Sequence, residues 1–157
     1  MEKDIKIIEC DFSNPEHRKG LISLMNHYIM DDMGNGKPLN EEQGLKLVEG
    51  LERHPSKLVL FVSHNDQLIG LTNCFINFAT FTVKPFINIH DVVVLEDYRD
   101  KGVGRKLLNA VIDHAKKIGC SKITLEVRSD NPRAQTLYKN LGFEEGEPVM
   151  HFWSKYL

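Results

Sequence analysis

The chain has 157 residues, 41% apolar and 27% charged, with a formal net charge of −2. These values suit one globular domain spanning residues 1–157, and without a global basic field no nucleic-acid partner is expected. Cys10, Cys74 and Cys120 stand far apart with no CxxC pair or His/Cys cluster, which argues against a disulfide framework or metal site and suits a reducing, cytoplasmic compartment. The N-terminal Met1-Glu2-Lys3-Asp4 lacks the order of a signal peptide. No apolar run approaches the roughly 18 residues of a membrane span, so no membrane partner is expected.

Ile5–Cys10 alternates as a first strand. Asn14-Pro15 opens a helix by the cap-then-proline rule, with Leu21, Ile22, Leu24, Met25, Tyr28 and Ile29 as its apolar stripe. That helix should stop near Gly34-Asn35-Gly36, ahead of Pro38. Asn40 and Gln43 then form a capping box for a second helix, whose expected apolar face is Leu45, Leu47, Val48 and Leu51. Lys57–Ser63 and Gln67–Phe78 flank Asn65-Asp66 as a hairpin. A further short strand is expected over Thr80–Val83, followed by Ile87–Val94. Val92–Val94 is apolar on both faces, so it reads as fully buried. Gly102–Ile118 repeats apolar residues at helical spacing, closed by Gly119. Ile123–Val127 reads as a strand, Asn131-Pro132 through Leu141 as a short helix, and Val149–Tyr156 as a final strand. This order predicts an α/β (α+β) fold: a mixed, mostly antiparallel sheet with helices on both faces.

The chemistry concentrates in Asp91–Leu108, where a β-branched run, a glycine turn and a helix follow one another. That arrangement offers backbone N–H groups and a helix N-terminus to an anion. A Walker A string is absent, and the dinucleotide fingerprint fails because Leu107 stands where its third glycine belongs. What remains is Arg99-x-x-Gly102-x-Gly104. Downstream lies a second block, Asn131-Pro132-Arg133-Ala134-Gln135-Thr136-Leu137-Tyr138-Lys139-Asn140-Leu141-Gly142-Phe143.

These two blocks, in this order and spacing, resemble the acetyl-CoA pyrophosphate loop and the N-x-x-A-x-x-x-Y-x-x-x-G-F block of the GCN5-related N-acetyltransferase (GNAT) superfamily. The resemblance covers about residues 84–145 and implies a splayed central strand pair with acetyl-CoA as co-substrate. By it, Arg99, Asp100, Lys101, Gly102, Val103, Gly104 and Arg105 cradle the pyrophosphate. Val92, Val93 and Val94 bond the pantetheine arm, and Asn131 and Ala134 line the other side. Asn131 equally suits a plain helix cap, and the side chain of Lys101 plain surface solvation.

Tyr138 falls at the superfamily's general-acid position, where a proton is needed for the departing thiolate. It also shares a helix face with Leu137 and Leu141, so a core role stands beside the catalytic one. The attacking amine must be neutral, which calls for a base. His90 is the first candidate, aligned where related polyamine acetyltransferases carry glutamate. Asp91 is the second and Glu126 the third. As strand neighbours, His90 and Asp91 should point to opposite faces. Cys74 reads as strand packing rather than a nucleophile. The resemblance places the acceptor near the link between the first two helices, where Asp31 and Asp32 would attract a cationic amine or simply solvate a helix end.

The expected activity is direct transfer of an acetyl group to a primary amine of a small molecule or peptide. The alternative is a non-catalytic acyl-CoA-binding module of the same fold, acting as sensor or scaffold. The apolar segment Ile76–Val83 suits the edge of a homodimer.

Overall fold

The computed structural model describes residues 4–34 and 36–157. Met1-Glu2-Lys3 and the Asn35 of the expected turn lie outside them. Five strands form one sheet in chain order: β1 (Ile5–Glu9), β2 (Lys57–His64), β3 (Gln67–Ala79), β4 (Lys84–Val94) and β5 (Ile123–Leu125). The first four are antiparallel, and β4 pairs with β5 in parallel. The helices are α1 (Pro15–Met30), α2 (Glu41–Arg53), α3 (Val103–Lys117) and α4 (Pro132–Asn140).

Local chemistry sets most of these boundaries. The Asn14 side chain accepts from the Glu16 N–H, and Pro15 occupies the first turn, where its missing donor costs nothing. Asn40 and Gln43 close both bonds of the capping box. Asn65 and Asp66 take φ of 49° and 62°, the left-handed pair that a two-residue hairpin turn requires.

The sheet is covered on both faces. Leu21, Leu24, Met25, Val48 and Leu51 of α1 and α2 pack on Val59, Phe61, Leu71 and Val93. Val103, Leu107, Leu108, Val111 and Ala115 of α3 pack on Leu58, Leu60, Val62, Ile87 and Ile89. β2 therefore feeds alternate residues to two cores, which explains its nearly continuous apolar run.

Several expectations need correction. Leu45 is exposed; the inward stripe of α2 is Gly44, Val48 and Leu51. Gly44 matters because a Cβ there would meet Ile22 Cγ2 at 3.1 Å, so the glycine lets α2 lie close on α1. Thr80–Val83 is the turn between β3 and β4, not a strand. Within Val92–Val94 only Val93 is buried, because Val92 and Val94 face a cleft. Strand β5 stops at Leu125, short of Val127. Val149–Tyr156 forms no strand: the segment is exposed and pairs with no strand among the described residues.

A bulge overturns the expected opposition of His90 and Asp91. Asn73 pairs with Asp91 and Cys74 with Ile89, which leaves His90 as the extra residue of β4. Ile89 and Val92 both pack toward the α3 side. His90 and Asp91 are thereby both turned to the α1–α2 side, where His90 meets the Phe75 ring and Asp91 meets Asn73.

Candidate active site

The β4–β5 ladder runs only from Ile87/Ile123 to Ile89/Leu125. Beyond it the two strands are unpaired, and a cleft of about 960 Å³ opens between them. Tyr28 with the turn after α1, and the start of α3, line it. Val92–Val94 make one wall, and Leu125–Arg128 with α4 make the opposite one.

At the α3 end, Gly102 caps the helix with φ of 77°. A Cβ there would meet nothing within 4 Å, so the glycine serves backbone conformation rather than space. Gly104 is different: a Cβ would meet Leu137 Cδ2 at 3.2 Å and Val94 Cγ2 at 3.8 Å. Its smallness brings α3, α4 and β4 together at the cleft floor. The N–H groups of the first α3 turn lack intrahelical partners and carry the positive end of the helix dipole. Lys106 N–H is the first to bond back, to Gly102 O at 3.0 Å.

The charged residues of this turn are distributed unevenly. Arg99 donates from Nε to Val94 O at 3.0 Å and from Nη2 to Asp31 Oδ2 at 2.6 Å. That second bond ties the end of α1 to the turn before α3. Asp100 pairs with Arg133 at 2.9 Å, which links the same turn to α4. Lys101 bends back to Asp97 O at 2.7 Å and does not line the cleft. Asp100, Val103 and Arg105 do line it.

On the opposite wall, Asn131 lines the cleft and its side chain caps α4 by accepting from Ala134 N–H at 3.1 Å. Tyr138 faces the cleft one helical turn beyond Ala134, its ring edge-on to Phe143 at 5.9 Å. Burial, with a smaller contribution from Tyr28, pushes its phenol up to about 12. It therefore stays protonated across the physiological range.

His90 and Glu126 reach the cleft from opposite walls, whereas Asp91 does not line it. Asp91 instead accepts from Asn73 Nδ2 at 3.0 Å. Asp31 lines the cleft, its carboxyl held below the ordinary carboxylate range chiefly by the Arg99 hydrogen bond. Cys74 is fully buried on the α3 side, and burial pushes its thiol up to about 11, which suits packing and not nucleophilic attack.

Tyr28 and Arg128 also line the cleft, and neither stood out in the sequence. Burial, then Asp91 and Asp31, push the Tyr28 phenol upward. Tyr28 read as one more member of the α1 stripe. Its only signal was a hydroxyl at the stripe's end, one turn before the acidic link.

The cleft suits a long anionic ligand. A left-handed glycine turn with free N–H groups, unpaired β4 backbone and a protonated phenol all line it. Among the described residues no group of three or more His, Cys, Asp and Glu side chains could hold a metal, and no helix is long and apolar enough to cross a membrane.

Known proteins point the same way. A sequence profile described as the acetyltransferase (GNAT) family matches residues 21–143. An uncharacterized N-acetyltransferase of Bacillus subtilis, YhfO, is 32% identical over 102 residues, covering 65% of this chain and 68% of the relative. The ribosomal protein bS18-alanine N-acetyltransferase of Escherichia coli is 42% identical over 71 residues, which cover 43% of this chain and 48% of that enzyme. Among solved structures, a probable acetyltransferase superposes with a TM-score of 0.84 at 21% identity, over 97% of this chain and 98% of its own. An aminoglycoside acetyltransferase from an uncultured soil metagenomic sample, in complex with sisomicin, gives a TM-score of 0.81 at 16% identity, over 99% of both chains. The structural likenesses establish the fold, and the profile match over most of the chain establishes the family. The chain belongs to the GNAT family of acetyltransferases.

Proposed function

We propose that the cleft transfers an acetyl group from acetyl-CoA directly to a primary amine of a small molecule or peptide, in a reducing cytoplasm. The observation that carries this is the opening of β4 from β5 beyond Ile89 and Leu125, a cleft lined by the Gly102 turn, Tyr138, His90 and Asp31. Acetyl-CoA would supply the thioester carbonyl and its thiol leaving group. The first-turn N–H groups of α3, with Arg105 beside them, hold the pyrophosphate. The Val92–Val94 backbone and the Asn131–Ala134 turn hold the arm. Arg99 acts mainly by shaping the turn, since its Nε and one Nη are engaged by Val94 and Asp31.

Tyr138 keeps its proton at the hydroxyl until the sulfur departs. His90, set off by the bulge at the acceptor end, takes the proton from the incoming ammonium. Asp91 supports it as a neighbouring charge on the same side, and Glu126 adds negative field from the opposite wall. Asp32, with Asp31 already paired to Arg99, draws a cationic amine to the cleft. Holding both reactants in one cleft supplies much of the rate.

The relatives acetylate different amines by name, a ribosomal protein alanine in one and an aminoglycoside in another. Their shared chemistry is the primary amine. A free-thiol release assay with acetyl-CoA over amines, amino sugars, amino acids and alanine-initiated peptides tests both activity and acceptor. Thiol release that depends on one acceptor class supports transfer. Tight acetyl-CoA binding with no release across the panel would instead identify a sensor or scaffold. The exposed Phe78, Phe81 and Val83 at the β3–β4 turn suit a homodimer contact.

A further inference from the structure

A second cavity, of about 540 Å³, opens between the first half of α1 and the β2–β3 hairpin. No residue lines both it and the acetyl-transfer cleft. Its size falls among small-molecule sites, which run from about 300 to 1,000 Å³. Its apolar part is Ile8, Leu24, Leu68 and Leu95, which all belong to or pack against the core under α1 and α2.

One polar side chain breaks that lining. Val59, Phe61 and Ser63 alternate onto one face of β2. Val59 and Phe61 are core residues. Ser63 lines the cavity at 9% exposure, and its hydroxyl has no hydrogen-bond partner among the described residues. A buried hydroxyl left unpaired carries a desolvation cost that alanine at the same position would not. Ser63 therefore marks a place for a polar atom from outside the chain. His17, whose ring is edge-on to Phe61 at 5.4 Å, lines the same cavity. Its Nδ1 accepts the Asp11 N–H at 2.9 Å, so the ring proton is on Nε2, which has no partner among the described residues. Two unengaged donors thus face one cavity.

The rim carries both signs of charge. Lys19 and Glu16 of α1 bridge at 3.2 Å, but their side chains are 75% and 77% accessible, so a ligand can displace that bridge at little cost. Asp66 stands on the hairpin side, in the left-handed turn, with no ion-pair partner among the described residues.

We propose that this cavity binds a free α-amino acid with a large apolar side chain, as an effector of the enzyme. Ser63 Oγ, His17 Nε2 and Lys19 meet the carboxylate, Asp66 meets the ammonium, and Leu24, Leu68 and Leu95 cover the side chain. A simple carboxylate would leave Asp66 unmatched, and a simple amine would leave both donors unmatched. Two elements connect the site to the cleft. Helix α1 carries Leu24 and, one turn on, Tyr28 of the cleft. Leu95 O accepts the Tyr98 N–H at 2.9 Å, in the turn that leads to Arg99.

Amide resonances of the isotope-labelled full chain, titrated with L-phenylalanine, should shift saturably at Gly20, Ser63 and Gln67, and with them at Tyr28 and Arg99. 3-Phenylpropionate, without the ammonium, and phenethylamine, without the carboxylate, should each bind about tenfold or more weakly, as fits the loss of a charge-assisted contact. Ser63→Ala should weaken L-phenylalanine by a similar factor with no loss of melting temperature in the unliganded chain. Asp66→Asn, in an exposed turn where asparagine suits the backbone, should weaken it likewise and keeps the test decisive if the Ser63 variant repacks. No saturable shift at Gly20, Ser63 and Gln67, or shifts confined to the Tyr138 cleft, would overturn the site. 3-Phenylpropionate binding as tightly as L-phenylalanine would overturn the amino-acid class. Saturation that leaves Tyr28 and Arg99 unmoved would overturn the effector role. Thiol release from acetyl-CoA enters none of these readouts, so the site stands or falls apart from the acetyl-transfer reading.

Discussion

Replacing Asp31 by asparagine removes the charge that ties the end of α1 to the turn before α3. Arg99 would lose an ionic partner at 2.6 Å and keep its Nε bond to Val94 O at 3.0 Å. Two unit charges about 4 Å apart interact by about 4 kcal/mol at an effective dielectric of about 20. Solvent reduces that figure here, since the two side chains are 26% and 22% accessible. The pair thus stands between a surface bridge of about 0–1 kcal/mol and a buried one whose rupture costs about 3–5 kcal/mol. The expected loss at pH 7 is about 1–2 kcal/mol, roughly 5–30-fold in the unfolding equilibrium.

The pH dependence follows from the lowered carboxyl of Asp31. A depressed folded value contributes stability that is fully present above the unfolded value of about 3.9. That stability is lost as pH falls through the folded value. Urea unfolding of wild type and Asp31→Asn should therefore show a gap at pH 7 that narrows below about pH 4. A double-mutant cycle with Arg99→Gln isolates the pairwise coupling. A gap at pH 7 below about 0.3 kcal/mol, within the scatter of independent sites, or a gap that ignores pH, would refute the tie.

Tyr138→Phe should lower turnover by about 10²-fold or more with little change in acetyl-CoA affinity; unchanged turnover removes the hydroxyl from the chemistry. His90→Ala should lose most activity near neutral pH and recover at high pH, where the amine deprotonates unaided; a wild-type pH profile counts against the base. Gly102→Ala places a Cβ at φ of 77° in open space, so backbone strain alone should cost about 1–2 kcal/mol, read as a lower melting temperature. With its thiol pushed up to about 11 and fully buried, Cys74 should react with a thiol reagent at pH 8 only after denaturation. Rapid labelling of the native protein would reopen a chemical role.

How legible the site was depended on how far apart its partners lie. Gly102, Gly104, Asn131 and Tyr138 stand within two short blocks, and all four are placed at or beside the cleft. Lys101 belongs to the same block, but a bond to Asp97 O, four residues earlier, draws it away. Nothing local marked Arg99 as the partner of Asp31, 68 residues away. Gly44 carried no signal either, since its meaning lies in the Ile22 side chain of another helix.

Caps, turns and periodicity act within a few residues, so Asn14-Pro15, the Asn40–Gln43 box, the Asn65-Asp66 turn and the stripe of α3 were readable from neighbours alone. Pairing register is a property of two strands at once. The bulge that leaves His90 unpaired arises only when β4 meets β3, and it turns His90 and Asp91 to one side against the alternation of a lone strand. The last strand carries the same lesson. Val149–Tyr156 has strand composition, but composition does not supply a neighbour, and among the described residues that segment finds none.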